Sequence, residues 1–90
     1  MSLRSAQTDI HTAMETDARI RFQAAAIEGA ALRGEMGDTD DERLGNRQRA
    51  ISRRYLELRA QGDDRAPAIR AAALAGQWDQ AMQLVFEALR

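Results

Sequence analysis

The first thirty-one residues place an apolar or small side chain at alternating steps of three and four. Leu3, Ala6, Ile10, Ala13, Ile20, Ala24, Ile27 and Ala31 form this seam, and Asp17 is its one polar member. A period of 3.5 residues held over four repeats marks a helix that packs lengthwise against another helix. It excludes a strand, whose side chains alternate with a period of two. A helix from roughly Ser5 to Arg33 is a rod of about 42 Å. Half of the seam is alanine, so a partner helix is expected to approach closely.

Glycine punctuates the rest of the chain. Gly34 and Gly37, Gly62, and Gly76 divide it into four helical segments. Gly34 suits the left-handed residue that ends a helix. Thr39-Asp40-Asp41-Glu42 reads as a capping box, with Thr39 as N-cap and Glu42 reaching back, and its acids complement a helix N-terminus. The second helix is expected from about Asp40 to Ala60, with a seam of Leu44, Gln48, Ile51, Tyr55 and Leu58. Gln61-Gly62-Asp63-Asp64 is a turn. The third helix starts near Asp64 or Arg65 and tolerates Pro67 in its first turn, where amides have no intrahelical partner; it ends at Gly76. The fourth carries Trp78, Ala81, Met82, Val85, Phe86 and Leu89 as a broad apolar stripe. No segment shows strand alternation. The expected fold is all-α, a single domain over residues 1–90: a long antiparallel helical hairpin with a shorter C-terminal hairpin folded back on it. The first helix should exceed the second by about 12 Å, an overhang for the second hairpin or another chain to cover.

Composition sharpens this picture. Hydrophobic residues make up 44%, but eighteen of them are alanine, and Leu, Ile, Val and Phe total only 16 of 90. That is close to the level of about 20% below which disorder threatens, yet the net charge is only -1 and alanine is the best helix former. A thin core of closely packed helices, with its bulky anchors concentrated in the fourth, satisfies both facts, and association would strengthen so small a core. There is no cysteine, which excludes a disulfide scaffold and a thiolate zinc site. No apolar run nears the ~20 residues of a membrane span and no signal peptide is seen, so the expectation is a cytoplasmic protein without membrane contact.

Gly76, Trp78, Ala81, Val85, Ala88 and Leu89 follow one another as a glycine turn, an aromatic, a small residue and a bulky residue four later. In this the C-terminal hairpin resembles the second helix of a tetratricopeptide repeat. The resemblance covers about residues 76–89. It implies a helical hairpin in which Ala81 admits the partner helix while Trp78 and Val85 fill the space beside it. The first helix of that motif departs from the family, with Arg65 at a bulky apolar position and Ile69 at a small one, and no second copy lies upstream. A solenoid is therefore not implied, and the family's ligand positions are not carried over. The Gly76-Gln77-Trp78-Asp79 turn is also similar to helical export chaperones of flagellar and type III secretion systems.

The chemistry-bearing residues are few. All thirteen basic residues are arginine, and Arg43, Arg47, Arg49, Arg53, Arg54 and Arg59 cluster on the second helix. Arg47, Arg49, Arg53 and Arg54 point away from or beside its seam and are the candidates for phosphates or an acidic partner. Set against nucleic acid are the slightly acidic chain, the scarcity of stacking aromatics, and Glu15, Asp17 and Glu28, which are placed to pair across the hairpin. Asp38-Thr39-Asp40-Asp41-Glu42 fails as a calcium loop, because Arg43 and Arg49 stand where glycine and glutamate are required. His11 and Glu15 lie one turn apart, two ligands where zinc takes three or four. Ser2, Ser5 and Ser52 sit in no nucleophile motif, and no phosphate-cradling glycine loop is present. No catalytic residue, cofactor or metal is expected. The expectation is a non-enzymatic interaction module of adaptor, chaperone or inhibitor type, of a kind that phages and mobile elements encode. It would bind another protein or itself through Ile10, Ile20 and Ile27 and the exposed part of Trp78, Met82 and Phe86. The alternative is a nucleic-acid-associated protein using the arginine-rich helix 43–59.

Overall fold

The computed structural model describes the backbone of residues 3–90 and the side chains of residues 15–90. Four helices follow one another: α1 (Leu3–Leu32), α2 (Asp40–Ala60), α3 (Ala66–Leu74) and α4 (Trp78–Ala88). Among the described residues there is no strand, and no helix is long and apolar enough to cross a membrane. The all-α expectation holds, with α3 starting one or two residues later than its turn suggested and ending at Leu74, just before the glycine turn.

Three of the helices end in the same way. At the end of α1 the amide of Gly34 donates to the carbonyl of Ala31 (3.0 Å) and that of Glu35 to Ala30 (2.9 Å), with Gly34 left-handed at φ 73°. This nested pair satisfies carbonyls that a bare helix end leaves open. The pattern recurs as Gly62 to Arg59 with Asp63 to Leu58, and as Gly76 to Ala73 with Gln77 to Ala72. The start of α2 is capped by Thr39, whose hydroxyl accepts the Glu42 amide (3.1 Å). Glu42 reaches one residue further back than expected, accepting from the Asp38 amide (2.9 Å). Gly37 is needed beside it: a Cβ there would stand 2.8 Å from the Arg43 amide nitrogen.

α1 and α2 run antiparallel, since Leu32 adjoins Arg47 while Glu28, one turn earlier in α1, meets Arg54, about two turns later in α2. The α3–α4 hairpin packs on α2. Where these three meet lies the core: Ile51 and Leu58 from α2, Ile69 from α3, Val85 from α4 and Leu32 from the very end of α1, with Ala50, Ala66, Ala72 and Ala81 between them. This corrects one expectation. The bulky anchors are spread over four helices, and α4 gives only Val85 in full, while Trp78, Met82 and Phe86 pack half-buried at the margin. Alanine at four of the nine buried positions lets the helices close without large side chains, and it leaves little apolar area to hold them. The α3–α4 hairpin does not cover the overhang of α1: residues 15–27 are all exposed. The molecule is elongated in consequence, 61 × 35 × 16 Å, with a radius of gyration of 17.8 Å against about 12 Å for a compact domain of this length.

Candidate protein-interaction surface

The exposed part of α1 is apolar on two sides. Ile20 and Ile27 stand seven residues apart on one face with Ala24 between them, and they are 57% and 54% exposed. Asp17 prolongs this face, also exposed. Towards the bundle the seam enters a cleft of about 360 Å³, where Ala24, Ile27 and Ala31 face Ala50 and Arg53 of α2. Two residues on from Ile20, a turn of about 200° places Phe22 on the opposite side, and it is 77% exposed. Ala18, Phe22, Ala25 and Gly29 form a second three-four run there. A helix apolar on both sides is normally enclosed; this one has α2 along only its last turns.

The sequence singled out Ile20 and Ile27, and both are on the surface. The side chains of Ile10 and of the His11 of the weighed metal pair lie outside the described residues. Trp78, Met82 and Phe86 form a separate surface, because α1 and α4 scarcely touch. They are half-buried against the core, so only their outer edges are available. Phe22 was missed: the heptad drew attention to one face, and the Ala18-Phe22-Ala25-Gly29 spacing was the signal for the other. Leu56 and Leu74 are exposed as well, each one position off the buried face of its helix.

The four arginines proposed as a basic site do not act together. Arg47, its side chain 14% exposed, turns inward. It donates to the Leu32 carbonyl at the end of α1 (3.0 Å), to Asp79 on α4 (2.5 Å) and to the sulfur of Met82 (3.6 Å). Arg54 makes a two-pronged pair with Glu28 of α1, Nε to Oε1 at 2.6 Å and Nη2 to Oε2, and a further bond to Glu57 (2.9 Å). Donating to the Glu28 carboxylate raises the Arg54 pKa further, against the opposing effect of burial. Glu28 thus pairs across the hairpin as anticipated. Arg49 donates to Asn46 (2.8 Å). Arg53 has no hydrogen-bond or ion-pair partner among the described residues and lines the α1–α2 cleft. Two members of the basic cluster, Arg47 and Arg54, fasten α2 to its neighbouring helices.

Among the described residues no group of His, Asp and Glu is arranged to hold a metal, and no buried polar side-chain atom lacks a partner. Comparison of the chain with protein-family models, with curated proteins and with solved structures finds no match. The surface is therefore read from its own geometry.

Proposed function

We propose that the chain is a small, non-enzymatic protein–protein interaction module, cytoplasmic and of adaptor, chaperone or inhibitor type, that acts through the exposed surface of α1. The observation that carries this reading is that residues 15–27 are exposed throughout, on a helix that presents Ile20, Ile27 and Phe22. Magnitudes set what kind of partner fits. Completing the burial of these three side chains is worth roughly 3–5 kcal/mol at 1.5–3 kcal/mol per fully buried side chain. Association costs about 4–15 kcal/mol before any net affinity appears. One apolar stripe against an unrelated flat surface falls short; a partner that supplies a matching stripe doubles the gain. The occupant is accordingly a second helix of like character, from another copy or another protein. Within the same reading the α3–α4 hairpin serves as a tetratricopeptide-like packing unit, supported by the complete burial of Ala81 and Val85 with Trp78 at their side.

Sedimentation at micromolar concentration tests the reading. The expected result is a species heavier than the 10.0 kDa chain, either alone or with a partner pulled down from the native host. Ile20→Asp should abolish association and Arg49→Glu should leave it nearly intact. The reverse ranking, or tight salt-dependent binding to generic duplex that Arg53→Glu removes, would replace this reading with a basic-face one.

A further inference from the structure

A second surface, on the far side of α2 from α1, carries its own chemistry. Between α2 and α3 runs a cleft in two joined parts, about 470 and 180 Å³, which share Tyr55 and Arg70. On α2 the lining residues Ile51, Tyr55 and Arg59 follow one another at single-turn spacing. On α3 Arg70 and Leu74 do the same in the opposite direction, with Ile69 as floor. The cleft is thus about 12 Å long, eight residues of helix at 1.5 Å each. It is graded from a cationic part at Arg59, with Arg70 at the junction, to an apolar end where Leu74, 74% exposed, and Ala73 stand beside the buried Ile51 and Ile69.

The two guanidiniums are unspent. Arg33, Arg43, Arg47, Arg54 and Arg65 are all in ion pairs. The Arg59 and Arg70 side chains make no ion pair or hydrogen bond among the described residues, and neither does the hydroxyl of Tyr55, which lines the same part of the cleft. A guanidinium offers five donors in a planar fork that fits a carboxylate with two parallel bonds. Two such forks and a phenol, with the exposed Leu74 one turn on from Arg70, make a site that is polar at one end and apolar at the other.

We propose that this cleft captures an acidic, amphipathic segment of a partner protein. Carboxylates would sit between Arg59 and Arg70, and a leucine-sized side chain against Leu74, Ala73 and the ring of Tyr55. Charge complementarity and length select this occupant. Two cations over 12 Å are too sparse for a duplex, which carries one charge per about 1.7 Å, whereas two helical turns of peptide match the span and use the apolar end. This site is separate from the α1 surface, and either can fail without the other.

The probe is a synthetic helical peptide bearing two glutamates on one turn and two leucines on the next, titrated into the isotopically labelled full chain and followed by amide NMR. Saturable shifts centred on Ser52, Tyr55, Arg70 and Leu74 are expected. Replacing the glutamates by glutamine, or making Arg59→Gln with Arg70→Gln in the protein, should weaken binding by about tenfold or more, as expected for losing one or more charge-assisted hydrogen bonds. Leu74→Ser, at the other end, should weaken it severalfold. Both arginines are exposed, so the variants keep the fold, which circular dichroism verifies. No saturable shifts at millimolar peptide, shifts confined to α1, or equal affinity for the glutamine peptide would each overturn the proposal. So would a duplex oligonucleotide that outcompetes the peptide at the same residues.

Discussion

Residues 15–27 of α1 and the block formed by α2, α3 and α4 are made of the same materials: alanine, arginine and a few aliphatics at three-four spacing. They end in opposite states. In the block, Ile51, Leu58, Ile69 and Val85 each meet an aliphatic from another helix and are almost completely buried. In α1 the same spacing leaves Ile20 and Ile27 more than half exposed. The pattern is no weaker there, and if anything it is longer. What differs is that the α3–α4 hairpin folds onto α2 and leaves residues 15–27 of α1 uncovered. Periodicity states which face of a helix must be covered; it does not state that the same chain covers it.

The largest test of this contrast compares isoleucines of the same size in the two regions. Ile69→Ala opens a cavity at a fully buried position and should cost about 2–4 kcal/mol. A chain of 90 residues has a total stability of about 5–13 kcal/mol, so this is a substantial share. Ile20→Ala should change the stability of the isolated chain by less than about 0.5 kcal/mol, while reducing association. Urea unfolding at dilutions below association measures both. Equal costs for the two changes would mean that α1 is folded into the block, and the comparison would collapse.

The next test concerns how α1 is attached. Beside the packing of Leu32 and Ala31, the polar link is made by two arginines: Arg54 through Glu28, and Arg47 through the Leu32 carbonyl. The Glu28–Arg54 side chains are 20% and 26% exposed, covered enough for the pair to matter. Glu28→Gln should cost about 1–2 kcal/mol, the range for a partly shielded charge-assisted bond. Arg47→Met should cost a similar amount, because it keeps the apolar stem and removes three contacts. Hydrogen exchange sharpens the reading. Both variants should lose protection in the last turns of α1 and keep it at Ile69 and Val85. Loss spread evenly over all four helices would show one cooperative unit instead of a block with an appended rod.

What could be read from the sequence divides along the same line. The helix ends were legible because they are local. Gly34, Gly62 and Gly76 need no tertiary context to stop a helix, and Thr39 with Glu42 needs none to start one. The α2 seam was legible at Ile51 and Leu58, which are buried, and not at its start, where Leu44 is exposed; a pairing of Glu28 across the hairpin was legible too. The position of the hairpin relative to α1 was not legible, because it depends on which of two similar alanine-rich faces α3 and α4 select. Arg47 was misjudged on that account. One step before Gln48 it reads as a flank cation, but the arrival of Asp79 and Met82 from residues more than thirty positions away turns it into the peg that joins α1 to α4. Phe22 escaped because a heptad read along one face conceals a second face of equal regularity. Arg59 and Arg70 stand on different helices, and only the packing of α3 on α2 brings them to one cleft.

The smallest expected effect is a pH dependence confined to the block. Asp63 accepts the backbone amide of Arg65 (2.9 Å), which orders the turn into α3, and two bonds from the Arg65 side chain (3.0 and 3.1 Å). Arg65 in turn donates to the Glu87 carbonyl (3.0 Å), tying the start of α3 to the end of α4. These bonds, the side-chain ones first, hold the Asp63 carboxyl below its ordinary value, and the same pairing raises Arg65. A folded pKa below the unfolded one means that the unfolded chain binds more protons as the pH falls. The contribution of Asp63 is therefore complete above its unfolded pKa of about 4 and is lost as the pH drops through the lowered folded value. Asp63→Asn keeps a capping oxygen and gives up the charge. The difference in thermal midpoint between the native chain and this variant should be largest near neutrality and should shrink in acid. The acid-induced loosening should fall on the amides of α3 and the last turn of α4, with α1 unmoved. A difference that stays constant with pH would show that Asp63 acts in the turn as a neutral cap, and that the α3–α4 junction owes nothing to its charge.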